Sequence, residues 1–255
     1  MVSGGDCISK IDGKTVFVPY ALPGERLRIQ IEREMRDYST ARIVEVLEPS
    51  ANRATPFCPL YTKCGGCNMQ HIATDFQTEL RSSILKDAFA REGVDAGDVQ
   101  VVSANPIGYR ARFQLHDGGL MEKRSNRILS IQNCPCATPE VNKYLAEMPF
   151  EQRPKGRVHV FGTEKIVSIP EGFDKIIVCN EDSKKDGRVI GKRTVRNGRP
   201  TKKIKKVQPR YEGASVKEEN LCTVDILGKK ITFDVQGFFQ SNMQVLEKTI
   251  PLITE

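Results

Sequence analysis

The sequence predicts a mainly β, α+β protein: a small N-terminal β-barrel followed by a larger central domain organised around cysteines. Three observations carry this. Residues 1 to about 48 break into short strand-like runs between glycine turns. Three cysteines crowd into Cys58-Pro-Leu-Tyr-Thr-Lys-Cys64-Gly-Gly-Cys67, and a fourth candidate stands far downstream in Asn133-Cys134-Pro135. Beyond them, strand-like segments return, broken by only a few stretches of helical period.

In the first 49 residues, Thr15–Pro19 is a short apolar run. Leu27, Ile29 and Ile31 alternate with Arg26, Arg28 and Gln30, the pattern of a half-buried strand. Ala41–Leu47 adds another, and Gly4-Gly5, Asp12-Gly13 and Pro23-Gly24 mark turns. Short strands with glycine turns suggest a barrel of the oligonucleotide-binding type. Its arginines Arg26, Arg28, Arg33, Arg36 and Arg42 are nearly cancelled by Glu25, Glu32, Glu34, Asp37 and Glu45, so charge alone reads as an ordinary solvated face.

The central domain is expected over 50–235. Its cysteines are spaced C-x5-C-x2-C with a distant fourth, close to the plant-type ferredoxin spacing, and three clustered thiolates plus a remote one suit an iron–sulfur cluster. Gly65 and Gly66 let the chain curl and turn N–H groups toward sulfur; Pro59 and Pro135 stiffen it beside the outer ligands. Structural zinc is the next reading, although zinc modules usually present two short C-x2-C pairs. Disulfides fit poorly: eight cysteines in 255 residues do not make a small disulfide scaffold, and no signal peptide precedes them. Buried free thiols are a further alternative, and the better reading for Cys7, Cys179 and Cys222. Cys136 is a competitor of Cys134 for the fourth position.

After the cysteine loop, Thr74 and Gln77 form a candidate capping box. Phe76, Leu80, Ile84 and Ala88 recur every four residues, a stripe expected in the core, and Gly93 is the expected stop. Tyr109–His116 alternates as a strand, Asp117-Gly118-Gly119 is a hairpin turn, and Arg127–Ile131 leads into Cys134. Pro139 opens a helix whose inner face is Val141, Leu145 and Met148. Strands follow at Val158–Phe161, Ile166–Ile169 and Lys175–Cys179, then a last hairpin around Gly228. Residues 236–255 carry Gly237-Phe-Phe-Gln-Ser-Asn242 and a linker helix. His71, His116 and His159 read as packing or surface residues.

Charge is concentrated. Ser183–Arg210 holds twelve Lys or Arg against one Asp, a surplus of eleven, which leaves the rest of a +7 chain at −4. A basic hairpin carrying Lys192, Arg193, Lys202 and Lys203 is a good attractor for nucleic-acid phosphates. No apolar run approaches a bilayer span, the N-terminus has no targeting pattern, and the cysteines suit a reducing cytoplasm. No strand–Gly-x-Gly-x-x-Gly–helix unit occurs, so no Rossmann-type domain is expected.

Cys58–His71, Gly108-Tyr-Arg-Ala-Arg112, Asn133-Cys-Pro135 and Phe238-Phe-Gln-Ser-Asn242, in this order, resemble the RNA uracil-5-methyltransferases of the TrmA/RumA type. Gly13–Glu25 looks like their TRAM domain. The resemblance implies a [4Fe-4S] cluster on Cys58, Cys64, Cys67 and Cys134. It implies Phe238 and Gln240 near the target uracil, Gln240 also near S-adenosylmethionine, and Arg110 and Arg112 near RNA. The family's donor-binding domain, with its catalytic cysteine and general base, lies beyond the Gln-Ser-Asn helix. The expectation is therefore the RNA-recognition portion of a 23S rRNA or tRNA 5-methyluridine methyltransferase: monomeric, bound to no membrane, with no catalytic residue among these 255 and inactive alone. The rivals are a zinc-stabilised RNA-binding module and an electron-transfer protein.

Overall fold

The computed structural model describes residues 1–163, 166–170, 194–196, 199–201 and 220–254. The N-terminal unit is a four-stranded sheet of β1 (Cys7–Ile11), β2 (Lys14–Val18), β3 (Arg26–Glu34) and β4 (Tyr38–Glu48), in the order β1-β2-β4-β3. β2 and β4 are parallel, the other pairs antiparallel, and β3 runs along β4 with three register shifts. Bulges of this kind bend and twist a strand, which wraps the sheet over its own core. That core is Cys7, Val16, Val18, Ala21 and Ala41. The β1 strand was not expected. Its Ile8 and Ile11 point outward, so the apolar alternation that announces a strand is weak.

Residues 49–73 form the cysteine loop, and α1 (Thr74–Arg91) follows. The capping box does not form: Ala73 is the N-cap, and Gln77 Nε2 donates instead to Met69 O and Ile72 O, back into the loop. The helix stops as expected. Gly93, at φ +72°, donates to Ala90 O and Val94 N donates to Phe89 O, satisfying the last carbonyls. The stripe is not a core stripe throughout. Leu80 is buried with Leu22 and Ile72, but Ala88 is exposed, as are Leu85 and Phe89 on the adjoining row. Periodicity fixes which face is apolar; it does not supply a partner for all of it.

The central sheet has the order β5 (Arg112–His116), β8 (Arg157–Gly162), β9 (Ile166–Pro170), all antiparallel. A short hairpin of β6 (Leu120–Met121) and β7 (Ile128–Leu129) leaves β5 through Asp117 and Gly118, both at positive φ. α2 (Pro139–Glu147), with Pro at its start, lays Val141 and Leu145 on Phe113, Leu115, Val158 and Val160. β10 (Thr194–Arg196) and β11 (Arg199–Thr201) make a short antiparallel ladder inside the basic segment. Lys192, Arg193, Lys202, Lys203 and the strand expected at Lys175–Cys179 lie outside the described residues.

The last hairpin, β12 (Leu221–Ile226) and β13 (Lys229–Asp234), turns at Leu227 and Gly228, both at positive φ. Its inner residues Cys222, Val224 and Ile226 bury against Ala111 and Phe161, and Met243, Leu246 and Ile250 of α3 (Met243–Thr254) close the cluster. Cys7 and Cys222 are buried, as expected for incidental thiols, and Cys179 is not described. Among the described residues no helix is long and apolar enough to cross a membrane.

Candidate functional site

Four segments converge on one place. The cysteine loop is pinned to the β6–β7 hairpin by Gly65 N–H to Met121 O and Lys123 N–H to Lys63 O. The segment carrying Cys134 is held by α2. Asn142 Oδ1 accepts from Cys134 N–H at 2.8 Å, and Asn142 Nδ2 donates to Cys134 O at 3.0 Å. The residues between, Gly108–Ala111, run alongside it: Gly108 N–H bonds Pro135 O, Arg110 N–H bonds Cys136 O and Thr138 N–H bonds Arg110 O. On its other side, Ala111 N–H donates to Ser241 O, so the Phe-Phe-Gln-Ser-Asn segment is stitched to the same short stretch.

The four predicted thiols line a single cavity of about 30 Å³, and Cys136 joins them. Leu60, Phe113 and Leu120 wall it with apolar surface. Gly66 N–H points at Cys64 Sγ at 3.4 Å, the N–H-to-sulfur contact its sequence position suggests. Cys67 and Cys136 have sulfurs 3.8 Å apart. The Cys136 thiol beside it draws Cys67 toward the thiolate; burial opposes this, and Gln70 and Arg110 assist. Cys134 is drawn the same way by Cys136, against burial. Burial pushes the Cys58 and Cys64 thiols up. The donor set and its N–H contact fit a thiolate-bound metal group. The spacing does not yet: among the described residues no three His, Cys, Asp or Glu side chains are placed to grip a metal ion.

Arg110 lines the cavity and pairs through its backbone with Asn242 of the Phe-Phe-Gln-Ser-Asn segment. Its guanidinium lies 4.8 Å from the Phe113 ring centroid, with Nη1 at 3.5 Å from Gly66 O and Nε donating to Arg112 O. Arg112 opens β5 and is half-buried. In the β13–α3 loop the side chains alternate. Phe238 is 80% exposed, Phe239 stacks on Phe233 with ring centroids 3.9 Å apart, and Gln240 is exposed again. One aromatic anchors the loop and the other stays exposed. A wider cleft of about 350 Å³, between the cysteine loop, α1 and α3, reaches Cys67 and Cys136 from the Tyr109 and Asn242 side. Asn142 and the Ala111–Ser241 stitching escaped the sequence reading, because both engage backbone groups that no side-chain pattern reveals.

The chain is a four-stranded sheet leading into a cysteine-lined α+β unit, and residues 3–44, within the sheet unit, match the TRAM domain family. The chain is homologous to RNA uracil-C5 methyltransferases. An "Uncharacterized RNA methyltransferase" of Treponema denticola is 32% identical over 278 aligned positions, covering all of this chain and 57% of that protein. The 23S rRNA (uracil(1939)-C(5))-methyltransferase RlmD of Photorhabdus laumondii is 36% identical over 152 positions, 55% of this chain and 35% of the relative. The crystal structure of Pyrococcus abyssi tRNA (uracil-54, C5)-methyltransferase, in complex with S-adenosyl-L-homocysteine, superposes with a TM-score of 0.53 at 18% identity. It covers 99% of this chain and 65% of that one, and shares the fold. The chain spans less than two thirds of the length of these relatives.

Proposed function

We propose that this chain is the RNA-recognition portion of an S-adenosylmethionine-dependent RNA uracil-5-methyltransferase acting on 23S rRNA or tRNA. The observation that carries the reading is the stitching at Arg110–Ala111, which joins the five-cysteine cavity to the exposed Phe238 and Gln240. In this reading Cys58, Cys64, Cys67 and Cys134 hold a [4Fe-4S] cluster that fixes the cysteine loop to the Cys134 segment. When bound, it supplies structure and no electrons. Phe238 offers a stacking face to a base extruded from RNA, and Gln240 meets the uracil and the methyl donor. Arg110, Arg112 and the basic segment with Lys192, Arg193, Lys202 and Lys203 neutralise phosphates. Methylating C5 of uracil needs a thiolate at C6 and a base for the C5 proton. In this reading neither part is assigned to a residue of this chain.

A second reading, a zinc-stabilised RNA-binding module, has one observation in its favour. A tetrahedral thiolate site with Zn–S bonds of about 2.3 Å has sulfur–sulfur edges of about 3.8 Å. The Cys67–Cys136 separation has that value.

Two measurements test the proposal. Anaerobically purified chain is expected to be brown, with iron and sulfide near four each per chain, as a cubane requires; colourless, zinc-loaded protein selects the second reading. Extended to the full length of its relatives, the protein is expected to convert uridine to 5-methyluridine in rRNA or tRNA transcripts, with loss of turnover in Gln240→Ala. Failure of that extended protein on both RNAs would overturn the enzyme assignment.

A further inference from the structure

A groove of about 420 Å³ runs between the TRAM sheet and the cysteine-bearing unit, away from the cysteine cavity. Its volume falls in the range of ligand pockets, about 300–1,000 Å³. From the TRAM side come Tyr20, Glu32 and Arg42; from the other side come Thr62, Lys123 and Arg124. Three cations therefore face one carboxylate.

Their partners leave them available. Arg42 gives one nitrogen to Gln30 Oε1 and keeps Glu32 at 3.9 Å, beyond a hydrogen bond. Arg124 stands 3.7 Å from Asp6, again a loose pair, and half its side chain is exposed. Among the described residues no carboxylate pairs with Lys123. Its ammonium sits 4.0 Å from the Tyr20 ring centroid instead. A cation held by a ring face keeps its N–H donors for an anion.

The backbone of the groove is unusual too. Six non-glycine residues among those described have positive φ, and three line this groove: Tyr20 at +64°, Thr62 at +74° and Arg124 at +56°. Such conformations persist only where surrounding structure holds them, and they gather at ligand clamps. Here Arg53, paired with the buried Glu25, donates to Tyr20 O, and Tyr20 Oη lies 3.4 Å from Thr62 O. The clamp is built across the two units rather than within either.

We propose that this groove binds the phosphodiester backbone of single-stranded RNA, with Arg42, Lys123 and Arg124 as its phosphate contacts. The inference rests on the RNA-binding reading above and adds where the strand runs: over the junction of the TRAM sheet with the cysteine loop. The TRAM arginine Arg42, which charge balance alone placed on a solvated face, becomes part of a contact surface.

The test uses the whole chain and a fluorescein-labelled, mixed-sequence single-stranded oligoribonucleotide, titrated over a series of KCl concentrations. Arg42→Ala/Lys123→Ala/Arg124→Ala is compared with Lys86→Ala/Lys143→Ala/Lys229→Ala, which removes equal charge elsewhere. The groove variant is expected to bind at least roughly tenfold more weakly and to flatten the log K against log[salt] slope by about 2, three contacts at about 0.7 each. The control is expected to keep the wild-type slope. Equal slopes for the two variants overturn the groove while leaving RNA binding intact; no binding by the wild type overturns the RNA reading itself. Amine-reactive footprinting of the wild type gives a readout that does not depend on a variant folding. RNA is expected to protect Lys123 and not Lys86, and equal labelling of Lys123 with and without RNA overturns the proposal.

Discussion

Cys67 and Cys136 bring their sulfurs to 3.8 Å across 69 positions of sequence, although the spacing and the resemblance both select Cys134 as the remote ligand. The two candidates differ in how they are held. Cys134 has its backbone clamped by Asn142 on both N–H and C=O, so its position is fixed by α2. Cys136 is buried, at 3% exposure, and tunes its neighbours. Cys134→Ser is therefore expected to abolish the visible absorption and iron content of anaerobically purified protein. Cys136→Ser is expected to retain both. The reverse pattern would move the fourth ligand to Cys136.

Asn142 gives a second prediction from the same geometry. Partners that orient a metal ligand typically contribute 10- to 100-fold, or about 1.4–2.7 kcal/mol, to metal affinity. Asn142→Ala is expected to lower retention of the bound group by about that factor in a chelator-competition series. The helix itself should persist, because Val141 and Leu145 keep their packing, and an unchanged far-ultraviolet spectrum would show it. Wild-type retention in the variant would mean that the Cys134 segment is held by other contacts.

Arg153 carries a prediction about stability. It is 1% exposed, and its guanidinium donates to four carbonyls: Gly118, Ile131, Leu145 and Met148. Two of these close the C-terminal end of α2, where a cation is favoured. Burial holds the guanidinium below its ordinary pKa, yet it remains a cation in its working range. Truncation leaves those acceptors without their donor, each at about 1–3 kcal/mol when water cannot replace it. Arg153→Ala is expected to lose about 3 kcal/mol or more in urea unfolding, against a fraction of that for the exposed Arg81→Ala. A small loss would show that water enters and satisfies the carbonyls.

The sequence announced what local chemistry dictates. Pro139 starts α2, Gly93 ends α1, and Asp117-Gly118 and Leu227-Gly228 turn at positive φ. Cysteine spacing found four of the five thiols around the cavity. What it missed depends on partners distant in the chain. Nothing local in the sequence marks Arg153, which is enclosed by α2, Ile131 and the Gly118 turn. The parallel pairing of β2 with β4 joins strands whose order no alternation encodes. The apolar row of α1 reads as core, yet only Leu80 is itself buried, with Phe76 packed partly against it, since a period specifies a face and not its neighbour.

His71, which reads as a packing or surface residue, is packed between two partners. It is 2% exposed, its Nδ1 lies 2.7 Å from Tyr61 Oη, and its Nε2 lies 3.4 Å from Ala21 O. A neutral ring satisfies both contacts, with Nδ1 accepting from the tyrosine O–H and Nε2–H facing the carbonyl. Burial holds the His71 pKa below its ordinary value, with smaller contributions from nearby Arg53 and Lys123. The sign follows from proton uptake. As pH falls through about 6.5 the unfolded chain binds a proton that the folded chain still refuses, so stability falls with pH until the folded pKa is reached. His159, also lowered by burial, contributes in the same direction. Urea midpoints are therefore expected to drop from neutral pH toward mildly acidic pH. His71→Gln, which cannot titrate, is expected to be less stable at neutral pH but to show a shallower drop. A slope as steep as the wild type's would assign the pH dependence to His159 or to the carboxylates rather than to the ring wedged between Tyr61 and Ala21.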